Sequence, residues 1–336
     1  MRKWLVGYLM LVAALVSCSK KNEEKCAFAP DTKNIFINVE VEALQDSLPS
    51  FTTKAQFARF FGHHPILRDQ FFKRDQYPTD SAFVNEMYRV FTNPHLDTLL
   101  METQRVFGDL SELKKQFAEA FANIKYYYPG FKAPKIQTLV SGFQTDLMVD
   151  DRVIVIGLDF YIGKGAKYKP QLYDYLLRRY TKDFIVPSVM LLYGIDTKIN
   201  RTSLSDKTVL ADMIAYGKAY YFAKRMLPCV PDSILMGYKT DEMKGSRDNE
   251  EKIYIRLVEN EVLYSTSHKI KEKYISERPK TLEIGEKCPG RIGTWIGWRM
   301  VETYAEKFPD KTLPQIMELA EPSTIFKESK YRPKSK

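Results

Sequence analysis

The sequence predicts an α+β fold that is predominantly helical and contains a small β-sheet. Apolar residues recur at the 3.6-residue spacing of amphipathic helices over most of the chain, and only two short runs have strand character. One of them, Val153-Ile154-Val155-Ile156, is an unbroken β-branched run of the kind that forms a buried strand. With 336 residues, 44% of them hydrophobic, the chain is long enough to bury a sizeable core.

The N-terminus has the pattern of a lipoprotein signal peptide. Arg2 and Lys3 precede an apolar run of 13 residues, which is too short to cross a membrane comfortably. Leu15-Val16-Ser17-Cys18 then matches the bacterial lipobox, whose cysteine receives acyl chains such as palmitate. We therefore predict a signal peptide at 1–17, lipidation of Cys18 and a lipidated tether at 18–33. The alternative is an ordinary signal peptide with a chance cysteine nearby.

The lipid would hold the protein in the cell envelope, facing the periplasm. Stable anchoring needs at least two acyl chains, which a lipidated cysteine supplies. Ser19 stands where the common inner-membrane retention signal has Asp, which favours the outer membrane but leaves the choice open.

The net charge of +9 suits an anionic lipid surface, polysaccharide or protein face. Nucleic acid is not an expected partner of an exported chain.

Residues 34–330 are predicted to form one domain, followed by a basic tail at 331–336. Helices are expected at 57–61, 83–91, 95–107 and 113–124, then strands at 136–140 and 152–158, then helices at 172–180, 183–193, 208–226, 241–264 and 293–308. Asp109 and Glu112 have the spacing of a capping box for the fourth helix.

The remaining cysteines leave two possibilities open. An exported protein meets an environment that permits disulfides. Cys229 and Cys288 can pair with each other, or they can be two separate buried thiols, while Cys26 is assigned to the tether. No CxxC spacing occurs, so neither redox chemistry nor a zinc ribbon is expected.

No cofactor or metal is predicted, and no catalytic residue is assigned. The four histidines, His63, His64, His95 and His268, do not form an HExxH motif and are given structural or exposed roles. The loop Gly163-Lys164-Gly165 follows a strand but lacks the spacing of a phosphate-binding loop, so it is interpreted as a connection, with anion binding as the alternative.

The segment at 289–299 (PGRIGTWIGWR) has the most distinctive composition. Gly293 and Gly297 lie one helical turn apart, which favours close approach of a neighbouring backbone. The main interpretation is helix–helix packing inside the domain. The alternative is a partner surface of hot-spot composition formed by Arg291, Trp295, Trp298 and Arg299.

Four segments and the lipobox cysteine carry a resemblance to a known family. They are 214–222 (IAYGKAYYF), Leu227-Pro228, Gly237-Tyr238 and 289–298 (PGRIGTWIGW), together with Cys18. With these residues the chain resembles the gliding-motility lipoprotein GldB family of the Bacteroidetes over most of the mature protein. The resemblance implies a component of the gliding machinery and, by association, of type IX secretion, with envelope proteins as partners and no established enzymatic activity.

The same family is similar to zincin-type metallopeptidases, which implies a degenerate zincin-like fold. Zincins place an HExxH helix before a Glu-Gly-x-Ala helix. Here Tyr216-Gly217-Lys218-Ala219 resembles the second motif with Tyr in place of Glu, and the upstream helix at 183–193 contains neither His nor Glu. Since Tyr and Met are poor zinc ligands, the metal chemistry is expected to have been lost.

The resulting prediction is a non-enzymatic envelope lipoprotein that binds or assembles partners in a gliding or type IX secretion machinery. One alternative is a degenerate or zinc-independent peptidase or hydrolase of the periplasm. Another is a periplasmic carrier of a small molecule or lipid, which the aromatic content of 13% permits. A cavity large enough for a ligand would favour the carrier.

Overall fold

The computed structural model describes Cys26 and residues 29–334, so the predicted signal peptide and Cys18 lie outside the described residues. The strands are β1 (Val41–Ala43), β2 (Lys135–Leu139), β3 (Leu147–Val149) and β4 (Val153–Gly157). The helices are α1 (Lys54–His63), α2 (Asp80–Phe91), α3 (Leu96–Phe107), α4 (Ser111–Tyr127), α5 (Asp174–Leu177), α6 (Ile185–Ile195), α7 (Val209–Met226), α8 (Asp232–Met236), α9 (Thr240–Asp248), α10 (Glu250–Glu259), α11 (His268–Tyr274), α12 (Ile292–Lys307), α13 (Leu313–Glu318) and α14 (Pro322–Ser329). The predicted fold class, helical α+β with a small sheet, is confirmed.

The four strands form one mixed sheet in the order β1-β2-β4-β3. β1 and β4 run parallel to β2, and β3 is antiparallel to β4. The sequence predicted β2 and β4 but neither β1 nor β3. Both missed strands are three residues long and only partly buried. β1 (VEA) has no apolar run, and the apolar run of β3 (LMV) is too short to distinguish a strand from a loop.

The sheet lies between two layers of helices, because its side chains alternate between two apolar faces. Ile154 and Ile156 of β4 join the larger core, which contains residues of α4, α6, α7 and α12. Val153 and Val155 join the smaller core, which contains residues of α1, α2 and α3. The buried β4 is therefore apolar on both faces, which explains its unbroken β-branched sequence.

Helices α7 and α12 pack against each other at the centre of the larger core. Both are apolar around most of their circumference, as expected of helices enclosed by neighbouring elements. Helix α6 covers another side of α7, and α14 packs across α12. Among the described residues, no helix is both long and apolar enough to span a bilayer.

Several predicted boundaries are wrong for local reasons. The helix expected at 241–264 is two helices, α9 and α10, that meet at Asn249, whose ψ of 20° interrupts the helical backbone. The helix expected at 172–180 is only the four-residue α5. Asp109 does not cap α4, because Leu110 occupies the N-cap position with a φ of 63°, although an Asp109 carboxylate oxygen accepts from the Ser111 N–H at 3.0 Å.

The predicted basic tail is also partly wrong. Tyr331 is buried in the larger core, and its hydroxyl donates to Glu250 Oε1 at 2.7 Å. Its ring meets that of Tyr254 edge to face, with centroids 5.2 Å apart. The packed domain therefore extends at least to Tyr331.

Candidate functional site

The glycine-rich segment forms a close backbone contact between α7 and α12. A Cβ placed on Gly297 would stand 1.8 Å from the carbonyl oxygen of Met213, and one placed on Gly217 would stand 2.4 Å from the Gly297 carbonyl. Any side chain at these positions would collide with backbone. The predicted role of Gly297 in helix–helix packing is confirmed.

The proposed partner surface on this segment is wrong, because its aromatic residues are inside the domain. Trp295 and Trp298 are each 1% exposed. The Trp298 ring stacks on Tyr220 of α7, with centroids 5.6 Å apart and planes 21° apart. Once the glycines bring α7 and α12 into contact, the indole rings fill the core and cannot meet a partner.

The two arginines of the same segment also make internal contacts. Arg291 Nη1 donates to the Tyr220 hydroxyl at 2.6 Å, and its Nε lies 3.0 Å from Glu277 Oε1. Arg299 Nε pairs with Glu250 Oε1 at 3.0 Å, and Arg299 also contacts Glu302. Both guanidinium groups are partly buried, and these internal partners account for them without an external ligand.

The carboxyl ends of β2 and β4 bring Ser141 and Asp159 together. These strands are parallel neighbours, so the residues that follow them lie at the same edge of the sheet. The buried Asp159 carboxylate accepts from the backbone N–H groups of Ser141 at 2.9 Å and Phe143 at 2.7 Å. Burial raises the pKa of Asp159 to about 6, although these hydrogen bonds oppose the shift.

A cavity of about 530 Å³ opens at this edge, and Asp159 contributes to its wall. Apolar surface comes from Phe160, Ile162, Leu177 and the ring of Tyr180. The Tyr180 hydroxyl donates a hydrogen bond to Asp146 Oδ2 at 2.8 Å. Ligands of open α/β sheets commonly bind at this end of parallel strands, and the same geometry is present here.

Five cationic side chains line the same cavity: Lys164, Lys169, Arg178, Lys239 and Lys280. Arg178 Nη1 pairs with Glu242 Oε2 at 2.7 Å. None of the four lysines has a carboxylate within 4.0 Å among residues 29–334. The lining also contains the carboxyl groups of Asp159, Asp174 and Glu242, so five cations face three carboxyl groups. The cavity therefore combines an apolar wall with a formal excess of two positive charges.

The sequence identified only one part of this cavity. Gly163 and Lys164 of the glycine loop line it, and a 3₁₀ turn at Leu158–Tyr161, not a helix N-terminus, follows β4. Lys169 lies four residues after the loop. The remaining three cations lie between 13 and 115 residues after it, so no local spacing could have indicated them. The 3.6-residue periodicity that predicts helices does not indicate which distant cationic side chains will line the same cavity.

Of the two possibilities left open for Cys229 and Cys288, the disulfide between them is not formed. Cys229 lies in the exposed turn between α7 and α8 and is bonded to Cys26, with a Cα–Cα distance of 5.1 Å. Cys288 is a buried thiol in a different part of the fold, and burial raises its pKa to about 12. The alternative that Cys288 is a separate buried thiol is correct for this residue.

The residues that invited comparison with metallopeptidases lie on two packed helices. A Cβ on Gly194 of α6 would stand 2.7 Å from the Ala219 carbonyl of α7, so the two backbones are in close contact. Tyr216, in the place of the zincin glutamate, is 40% exposed. No group of three or more His, Cys, Asp or Glu residues suited to a metal occurs within the described part of the chain.

The fold and the site define a predominantly helical α+β protein with a cation-lined cavity at the edge of its sheet. The model of the family described as gliding motility protein GldB matches residues 25–333. The chain belongs to this family, and the resemblance drawn from its sequence is confirmed. Neither a curated protein nor a solved structure matches the chain significantly.

Proposed function

We propose that this gliding-motility protein is a non-enzymatic, lipid-anchored component of the cell envelope that binds or assembles other proteins of a gliding or type IX secretion machinery. Membership of the GldB family over residues 25–333 is the observation that carries the proposal. The lipid would be attached to Cys18, and the domain would face the periplasm.

The Cys26–Cys229 disulfide supports a short connection between anchor and domain. It ties the chain, eight residues after Cys18, to the end of α7. Eight residues span at most about 28 Å when fully extended. A lipid on Cys18 would therefore keep the exposed turn around Cys229 near the membrane surface and leave more distant surfaces accessible to partners.

The non-enzymatic part of the proposal is supported by the residues on α6 and α7. Val186, Val189 and Met190 of α6 are buried in the larger core. These apolar side chains occupy the helix that would carry the histidines of a zincin. Together with Tyr216 in the position of the glutamate, they provide neither zinc ligands nor a general base.

The anchor is tested by replacing Cys18 with Ala in a host that carries the gliding machinery. Since the acylated atom is the cysteine sulfur, we expect acyl labelling to disappear and the uncleaved precursor to accumulate. Cys288→Ala is the matched control, because it removes a buried thiol and should leave labelling intact. Normal labelling and processing of Cys18→Ala would contradict lipidation at this residue.

The assembly role is tested by deleting the protein and by crosslinking it in living cells. We expect colony spreading and type IX cargo secretion to be lost, and mass spectrometry of the crosslinked species to identify envelope proteins of that machinery. Intact gliding and secretion in the deletion strain would refute the assembly role.

A second candidate function, a carrier of a small molecule or lipid, is favoured by the cavity of about 530 Å³. This volume lies within the range of small-molecule sites, about 300–1,000 Å³. The carrier and assembly functions are compatible, because the cavity lining contains no residue of the Cys229 turn, which the lipid anchor would keep near the membrane.

A further inference from the structure

The cavity at the edge of the sheet has two chemically different parts. Its apolar part includes Phe160, Ile162 and Leu177, with the ring of Tyr180 beside them. The rings of Phe160 and Tyr180 are packed together, with centroids 5.7 Å apart. This part of the wall can cover the hydrocarbon or aromatic body of a ligand, because removing apolar surface from water is favourable.

The second part of the cavity is cationic. Lys164 and Lys169 come from one loop, Lys239 and Lys280 come from two other segments of the chain, and all four line one space. All four are exposed, and none is paired with a carboxylate among the described residues. Together with Arg178 they outnumber the three carboxyl groups of the lining, Asp159, Asp174 and Glu242, by two, and this excess of positive charge attracts an anion into the cavity.

Arg178 is the fifth cation of the lining, and its charge is paired. Its Nη1 is satisfied by Glu242 at 2.7 Å, whereas its Nε is buried and has no hydrogen-bond partner within residues 29–334. Because the Nε atom has almost no accessible surface, it is not a contact point for a ligand in the cavity.

We propose that this cavity binds an anionic amphiphile, that is, a molecule with an acyl or aryl body and one phosphate or carboxylate head. The body lies against Phe160 and Tyr180, and the head lies among the lysines. This inference rests on the second candidate function, the carrier, and names its ligand class; it does not depend on the motility role.

The two parts of the wall distinguish this ligand from simpler ones. An inorganic anion would meet the lysines but leave the apolar wall in contact with water. A neutral apolar molecule would cover the wall but leave the lysine charges unpaired. Only a ligand with both parts uses the whole cavity, so a neutral body and a bare anion should each bind more weakly than the amphiphile.

The test uses the full-length lipoprotein in nanodiscs and isothermal titration, with empty nanodiscs as the blank. The ligands are 1-naphthyl phosphate, 1-naphthoate, 1-naphthol and inorganic phosphate, so that head and body are varied separately. We expect at least one of the two naphthyl anions to bind about tenfold more tightly than naphthol and inorganic phosphate. Tighter binding of naphthyl phosphate identifies a phosphate head, and tighter binding of naphthoate identifies a carboxylate head.

The location is tested with Lys239→Gln combined with Lys280→Gln. Both side chains are exposed, so folding should be preserved, and we expect about tenfold weaker binding of the naphthyl anion. Lys115→Gln combined with Lys207→Gln is the matched control, because it removes two exposed lysines that do not line the cavity. The control should bind as the wild type does.

Four results would overturn the proposal. They are no binding of either naphthyl anion, naphthol binding as tightly as the anions, inorganic phosphate binding as tightly as the anions, and equal weakening by the two double variants. The last result would mean that net charge, not this cavity, attracts the ligand.

Discussion

Lys218 is a buried cation that no carboxylate accompanies in the described structure. Its side chain is 0% exposed in α7, and its ammonium donates to Thr202 Oγ1 at 3.0 Å and to the Leu319 carbonyl at 2.9 Å. Burial lowers its pKa from 10.5 to about 7. Two neutral acceptors compensate only partly for the loss of hydration, so this residue weakens the fold near neutral pH.

This environment predicts a pH-dependent gain from Lys218→Met. Between about pH 7 and 10.5 the unfolded chain binds the proton and the folded chain does not, so the wild-type free energy of unfolding rises with pH in that window. At about 1.4 kcal/mol per pH unit, the lowered pKa reduces the wild-type free energy of unfolding by at most about 5 kcal/mol. Methionine removes this loss but also removes the hydrogen bonds to Thr202 and Leu319. We therefore expect the free energy of unfolding of the variant to be higher by about 1–3 kcal/mol at pH 6.

Denaturant unfolding of both proteins at pH 6 and pH 9.5 measures this difference. The advantage of the Met variant should shrink at the higher pH, where the wild-type lysine is neutral in the folded state. A difference in unfolding free energy that does not change with pH would show that Lys218 keeps an ordinary pKa.

At the scale of elements, the contact between α7 and α12 is the most constrained packing in the larger core. Local pattern correctly indicated that Gly297 meets a neighbouring backbone. Gly293, one turn earlier, instead faces α11, where a Cβ would stand 3.0 Å from the Tyr274 carbonyl oxygen, so the two glycines do not share one contact. Local pattern could not identify the helix on the other side of Gly297. Met213 and Gly217 meet Gly297 only because the chain returns to α7 after more than seventy residues.

Gly297→Ala should therefore destabilise the protein. The new Cβ would stand 1.8 Å from the Met213 carbonyl oxygen, so the helices must separate or shift. We expect the free energy of unfolding to fall by about 2–4 kcal/mol, as measured by denaturant unfolding.

Gly245→Ala is the matched control. Gly245 also lies within a helix, α9, but a Cβ there would have no heavy atom within 4 Å. Because alanine favours helix more than glycine does, this variant should gain about 0.5–1 kcal/mol. Equal effects of the two substitutions would mean that the helix contact is not tight.

At the scale of the whole molecule, the Cys26–Cys229 disulfide joins positions 203 residues apart. The bond restricts the unfolded chain, and a loop of this length gives a stabilisation of about 5 kcal/mol in the chain-entropy model. We expect Cys229→Ser to lower the free energy of unfolding by about 2–5 kcal/mol and to make stability insensitive to reducing agents.

Cys26→Ser and the double variant complete the test. Since either single substitution already breaks the bond, the double variant should be no less stable than the singles. Additive losses from the two substitutions would contradict the pairing.

The sequence by itself determined the parts of this protein that depend on neighbouring residues. The lipobox around Cys18, the helical periodicity of α7 and α12 and the β-branched run of β4 are all short-range patterns. They were sufficient for the fold class and for the family, because both leave local marks in the chain.

Tertiary structure alone decided which distant residues meet. It paired Cys229 with Cys26, buried Trp295 and Trp298 where a partner surface had been considered, and brought Lys164 and Lys280 to one cavity. The physical reason is that packing free energy depends on all elements together. The sequence gives the chemistry of each residue directly. Its neighbours across the core depend on how all the helices pack on the sheet.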